Sequence, residues 1–164
     1  MNKAIIGIDN GKLGAVCVLN RYEPVFFDTP TISIITAKKK RNKYDEMKMA
    51  DFLKRFEHVE PHVFIEEVRY LPKQSSQASG SIGYGHGLWR GIIATLGYPM
   101  ELVTVRNWQK MFGIYGKGSE TKNASHMIAK RLHPCGQFET VKGRILDGRS
   151  DAFLIAEYGR RILK

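Results

Sequence analysis

The sequence predicts an α/β fold: one domain over residues 1–164, built on a mixed β-sheet of about five strands with helices on both faces. Two observations carry this. Three short β-rich apolar runs come in succession, and strand-like runs then alternate with helical periodicity, in the order β-β-β-α-β-α-β-α-α. Successive strands followed by alternation is the pattern of a mixed sheet covered on both sides. Hydrophobic residues make up 43% of the 164, the composition of a globular chain long enough to bury a core without disulfides or a structural metal.

Each element has its own signal. Residues 3–9 (KAIIGID) and 13–20 (LGAVCVLN) are strands separated by Asn-Gly-Lys, a hairpin sign. Residues 24–28 (PVFFD) form a third strand after a turn near Tyr22 and Glu23. Lys38 to Lys43 reads KKKRNK, five cations in six residues with no apolar member, and is expected to be a solvated loop open to a phosphate backbone. A helix over 45–57 has Asp45 as N-cap and Met49, Phe52, Leu53 and Phe56 at helical spacing. Pro61 ends that unit and 62–68 (HVFIEEV) is the next strand. The stretch YLPKQSSQASGSIGYGHG is polar and glycine-rich, and LWRGIIATLG then reads as a buried helix, within 82–97, ending at Gly97. Residues 100–105 (MELVTV) give the fifth strand, and helices follow near 106–111, 119–132 and 149–162.

Charge narrows the function classes. With 26 Lys and Arg against 16 Asp and Glu, the net charge is +10, which points to an acidic partner, nucleic acid first. Residues 106–164 alone hold 12 basic and 5 acidic side chains. A merely basic soluble protein is the plainer alternative. No apolar run approaches the roughly 20 residues that span a bilayer, and the broken start MNKAIIGIDNGKLGAVCVL does not read as a secretory signal. Cys17 and Cys135 form no CxxC pair, so neither a disulfide framework nor a zinc knuckle is indicated. The expected setting is a reducing cytoplasm.

Four carboxylates carry the chemistry. Asp9 ends the apolar strand IIGID, where a turn role competes with a place in a ligand site, since ligand sites in α/β sheets gather at strand C-terminal edges. Asn10, Gly11 and Gly14 leave room for close approach to the backbone. Glu66 closes HVFIEE in the same way and converges with Asp9 if the two strands are parallel neighbours. Alternation sends Glu67 to the opposite face, so only one of the two can join. Asp151 stands one turn before Ile155 on the last helix. Asp147, four residues earlier, either shares that face or serves as the helix N-cap. Like charges held this close need a cation between them. Oxygen-only donors suit Mg²⁺. Two such ions about 3.5–4 Å apart would serve phosphodiester hydrolysis.

GIDNGKLGAV, FIEEV and GRSDAFLIA, in that order, resemble the three signatures of RuvC-type Holliday junction resolvases of the ribonuclease H-like superfamily. The middle stretch SGSIGYGHGLWRGIIATLGYPMELVTVRNWQK is similar to phage and organellar members, and the likeness covers residues 3 to 162. It implies a homodimer that cuts four-way or other branched DNA by paired nicks, with Asp9, Glu66 and Asp151 as metal ligands, and it favours Glu66 over Glu67. The setting would be a bacterial or phage-infected cell, or an organelle. One departure stands out. The family's third ligand lies three residues before the last Asp, which is Gly148 here, so the nearest carboxylate is Asp147. The family's wedging aromatic falls at Arg69, with Tyr70 beside it.

Plausible phosphate contacts are Lys38, Lys39, Lys40, Arg41 and Lys43, together with Lys73, Lys110, Lys117, Lys122 and Arg149. His58, His62, His86, His126 and His133 show no metal-ligand spacing and are expected at the surface or packed. Trp89 and Trp108 read as core or interface aromatics. Gly80, Gly83, Gly85 and Gly87 match no phosphate-loop motif and fit close helix packing, across a dimer interface included. Rival readings are a sugar-kinase or actin-type ATPase, which needs two such domains, a ribonuclease H-like nuclease acting on RNA, and a junction-binding module without catalysis.

Overall fold

The computed structural model describes residues 3–35, 40–68, 75–116 and 118–163. The main sheet has five strands in the order β3-β2-β1-β6-β7, formed by β1 (Ala4–Ile8), β2 (Ala15–Leu19), β3 (Val25–Asp28), β6 (Pro61–Glu66) and β7 (Met100–Val103). The β1–β2 and β2–β3 pairs are antiparallel hairpins, whereas β1–β6 and β6–β7 are parallel, so the sheet is mixed as expected.

Alternation along the strands divides the core in two. Ala4, Ile6, Ile8, Val16, Val18, Val63 and Ile65 face α1 (Glu46–Lys54) and α2 (Ser76–Thr95), packing with Met49, Phe52, Trp89 and Ile93. Ile5, Ala15, Cys17, Leu19 and Phe64 face α3 (Val105–Met111), α4 (Ser119–Leu132) and α5 (Asp147–Ile162). Both tryptophans are core residues in this chain, and helices cover both faces. No described helix is long and apolar enough to cross a membrane.

The structure corrects three readings. The cationic run is not wholly a loop: Lys40–Tyr44 is strand β5, paired antiparallel with β4 (Thr31–Ile35) in a separate two-stranded ribbon. The run lacks apolar periodicity because the ribbon faces solvent; only Tyr44 of β5 is buried, and Ser33 donates across the strands to Asn42 at 2.9 Å. The glycine-rich stretch is also helical. Ser75 caps α2 by accepting from the amide of Ala78, and the helix runs 20 residues to Thr95. Glycine's cost in a helix, about 0.5–1 kcal/mol each, hides this from propensity. Gly85 shows one compensation, because a side chain there would collide with the Tyr44 ring. Third, α5 begins at Asp147 rather than 149, with Leu146 as N-cap and no side-chain capping bond. Asp147 is therefore not the N-cap.

Asp45 does cap α1, accepting from the Lys48 amide at 3.1 Å. Lys38, Lys39, Arg69, Tyr70, Lys73 and Lys117 lie outside the described residues.

Candidate active site

Parallel pairing of β1 and β6 sets Ile8 opposite Ile65, so one residue further Asp9 stands beside Glu66 at the C-terminal edge of the sheet. Both continue the face covered by α5, whose first turns bring Asp147 and Asp151. Glu67 follows on the other side, where its charge is felt by His86 of α2. The alternation thus selects Glu66.

Close backbone contact joins these elements. Gly14 and Gly148 form an isolated parallel bridge between the turn after β1 and the start of α5. A side chain at Gly148 would run into the backbone of Leu13 and Gly14. The position three residues before Asp151 has no room for a carboxylate in this chain, and Asp147 is the nearest acid left. The sequence departure follows from that packing.

Each carboxylate has a holder. Trp108 Nε1 donates to Glu66 Oε2 at 3.1 Å, and the Asn10 side chain donates to the Glu66 carbonyl at 2.6 Å. The Gly11 amide donates to Asp9 Oδ1 at 3.4 Å. Buried Ser125 of α4 hydrogen-bonds Asp151. Lys122 Nζ sits 2.6 Å from Asp147 Oδ2. Asn10, Ser125 and Trp108 as holders were missed in the sequence, because nothing in their local pattern marks them. Among the histidines, His86 Nδ1 approaches Asn10 Nδ2 at 3.2 Å, and His62, His126 and His133 pair with Glu101, Glu139 and Glu23.

The electrostatics are those of charges without enough counter-charge. Burial, opposed by the Gly11 amide, pushes Asp9 up to about 6. Burial and the charges of Asp9 and Asp151 push Glu66 up to about 8. Burial and Asp9 push Asp151 up to about 7. Among the described residues, no three His, Cys, Asp or Glu side chains are close enough to make a preassembled metal group. The donors nonetheless suit a hard divalent cation: all are carboxylates, Glu66 and Asp151 each feel the charge of Asp9, and Lys122 is the cation beside Asp147. A bound cation would offset the burial that chiefly raises these three values, and the repulsion added to it.

The other proposed phosphate contacts are spread out. Arg149 is engaged by Asp28, Nε to Oδ1 at 2.6 Å, and by Gln137, so its guanidinium fastens β3 to α5. Lys110 lies with Arg106 and Tyr115 on a shallow face by α3, and Lys40, Arg41 and Lys43 are exposed on β5.

This five-stranded mixed sheet with helices on both faces has a ribonuclease H-like fold. Thermus thermophilus RuvC shares it. The chain matches a structure of that protein in complex with a Holliday junction substrate at a TM-score of 0.57 and 12% identity, covering 97% of this chain and 96% of that one. A second T. thermophilus RuvC structure matches with the same values. No family profile and no curated protein matches the chain by sequence.

Proposed function

We propose that this protein is a metal-dependent endonuclease that resolves four-way DNA junctions by paired symmetric cleavage. The observation that carries it is the placement of Asp9 beside Glu66 at one sheet edge, with Asp151 and Asp147 on the first turns of α5 next to them, within a fold shared with RuvC. Asp9, Glu66 and Asp151 would hold Mg²⁺ or Mn²⁺, with Asp147 completing the set. Bound there, two ions would stabilise the attacking and leaving oxygens of a phosphodiester. Trp108 and Ser125 fix the orientation of Glu66 and Asp151, and Lys122 neutralises Asp147 at the rim. The net charge of +10 suits the DNA backbone. The likeness of the middle stretch supports a phage or organellar type acting in the cytoplasm or its organellar equivalent. The test is incubation of a synthetic four-way junction with and without Mg²⁺. Symmetric paired nicks only with the metal are expected; cleavage of RNA hybrids in their place, or binding without nicks, overturns the reading.

Asp147→Asn tests the fourth ligand. The variant keeps the side-chain shape at the helix start and is expected to stay within about 1 kcal/mol of wild-type stability. Cleavage at limiting Mg²⁺ should fall tenfold or more, on the order of one lost charge interaction, with partial rescue by Mn²⁺, which binds such sites more tightly than Mg²⁺. Wild-type turnover would leave Asp9, Glu66 and Asp151 as the working set.

Paired cutting of a two-fold junction needs two sites related by a two-fold axis, hence a homodimer. The supporting surface is on α2, where Gly87, Leu88, Gly91 and Ile92 line an open apolar groove with Ala50. A Cβ built at Gly87 or Gly91 meets nothing within 4 Å, so neither glycine is required by the single chain. Gly87→Gln/Gly91→Gln is therefore expected to strengthen the helix by about 0.5–1 kcal/mol per site yet give a single-chain mass by light scattering where wild type gives two. A single-chain mass for the wild type at micromolar concentration, with and without junction, removes the dimer.

A further inference from the structure

Beside the carboxylates lies a second cleft, between the β4–β5 ribbon and α2, of about 530 Å³. Its walls are Lys12, Arg41, Lys43, Tyr44, Gln77 and Tyr84. Three cations face one acid, Glu46, and that acid already accepts from the Tyr84 hydroxyl at 2.9 Å. Lys12, Arg41 and Lys43 make no ion pair among the described residues, and Arg41 and Lys43 are exposed. The Tyr84 ring is 55% exposed, 6.0 Å from the buried Tyr44 ring, and Lys12 Nζ stands 5.5 Å from the Tyr44 centroid.

The cleft adjoins the carboxylate edge through the β1–β2 turn and α2. Lys12 lies in the turn between Asp9 and Gly14. On α2, Gly85 packs against Tyr44 while the next residue, His86, reaches Asn10 beside Asp9.

We infer that this cleft is a nucleotide subsite that receives the DNA strand continuing from the scissile phosphate, with Lys12, Arg41 and Lys43 against its phosphates and Tyr84 against a base. The inference rests on the nuclease reading of the carboxylate edge. Unpaired cations on a ribbon track a backbone, and an exposed aromatic ring offers a stacking platform indifferent to sequence. The absence of apolar side chains from residues 40–43 of β5 is then a property of its ligand.

The experiment is DNA binding in chelator, so that nothing is cut, with a four-way junction and a single strand as probes. Arg41→Gln/Lys43→Gln changes two exposed side chains and leaves the core untouched. Each phosphate contact contributes about −0.9 to the slope of log K against log salt, so the variant should flatten the slope by about 1.8. Tyr84→Trp supplies an optical probe, because Trp89 and Trp108 are 0% and 1% exposed. Its emission should be quenched by DNA and shielded from iodide. Tyr84→Ala should weaken binding about tenfold, the scale of one stacked base. An unchanged slope with an unquenched indole overturns the subsite, while Mg²⁺-dependent nicking of the junction by the wild type upholds the nuclease reading. Equal wild-type affinity for single strand and junction, with the slope still flattened, keeps the subsite and overturns junction selectivity. A wild type that binds neither probe overturns both.

Discussion

Asp9→Asn and Glu66→Gln are each expected to abolish junction cleavage in Mg²⁺ while leaving junction binding near wild type. Metal assistance at a phosphodiester is worth several kcal/mol, and about 4 kcal/mol is a factor of roughly 10³ in rate. Binding survives because the basic surface is untouched and one negative charge facing the phosphates is gone. The same substitutions have a second expected signature in the metal-free protein. Asp9, Asp151 and Glu66 are raised from 3.8, 3.8 and 4.5 to about 6, 7 and 8. A carboxyl with a raised folded value contributes its stability below its unfolded value and loses it as pH rises through the folded one. Wild type in chelator should therefore melt lower at pH 8 than at pH 5, and Asp9→Asn should show a shallower fall. Thermal melts at the two pH values, with and without Mg²⁺, check this. Normal cleavage by either variant in Mg²⁺ removes the metal assignment.

The site was legible where a carboxylate interrupts an apolar strand. Asp9 after AIIGI and Glu66 after HVFI each end a buried strand on a carboxylate, and parallel pairing of β1 with β6 is the arrangement their convergence requires. The five-stranded sheet and the helices near 106–111 and 119–132 follow from periodicity in the same way. What stayed hidden depends on contacts between distant segments. In the β4–β5 ribbon, residues 40–43 of β5 carry no apolar side chain, so alternation could not announce that strand. The first half of α2 is rich in glycine and serine, and it is helical because tertiary packing, such as Gly85 on Tyr44, overrides propensity. Asp147 read as a ligand or a cap because both begin a helix; the start of α5 at Asp147, with Leu146 as its N-cap, removes the cap. Ser125 and Trp108 are recognisable only once α3 and α4 stand against the sheet edge.

That dependence on distant contacts makes Gly7→Ala the most severe substitution expected outside the acids. Gly7 is central in β1, paired with Cys17 on one side and Phe64 on the other. A Cβ there would overlap the backbone of Ala152 and Ala156 in α5. A flexible side chain could step aside, but a helix backbone must move as a body. The facing segment Ala152–Ala156 is 0–2% exposed, so displacing α5 opens the core against β1 and β2 alike. Overpacking of this kind costs about 1–3 kcal/mol before the opened core is counted. The total should reach about 3–5 kcal/mol, and at about 2–4 °C per kcal/mol the melting temperature should fall by about 10 °C or more. Gly80→Ala is the control, since its Cβ meets nothing within 4 Å and the exchange should stabilise slightly. Because α5 carries Asp147 and Asp151, its displacement also separates them from Asp9 and Glu66. Cleavage by Gly7→Ala should then be lost well below its melting temperature, more than the unfolded fraction explains. A variant that melts within about 2 °C of wild type and cuts normally would mean that the strand-to-helix approach at Gly7 does not hold the four carboxylates together.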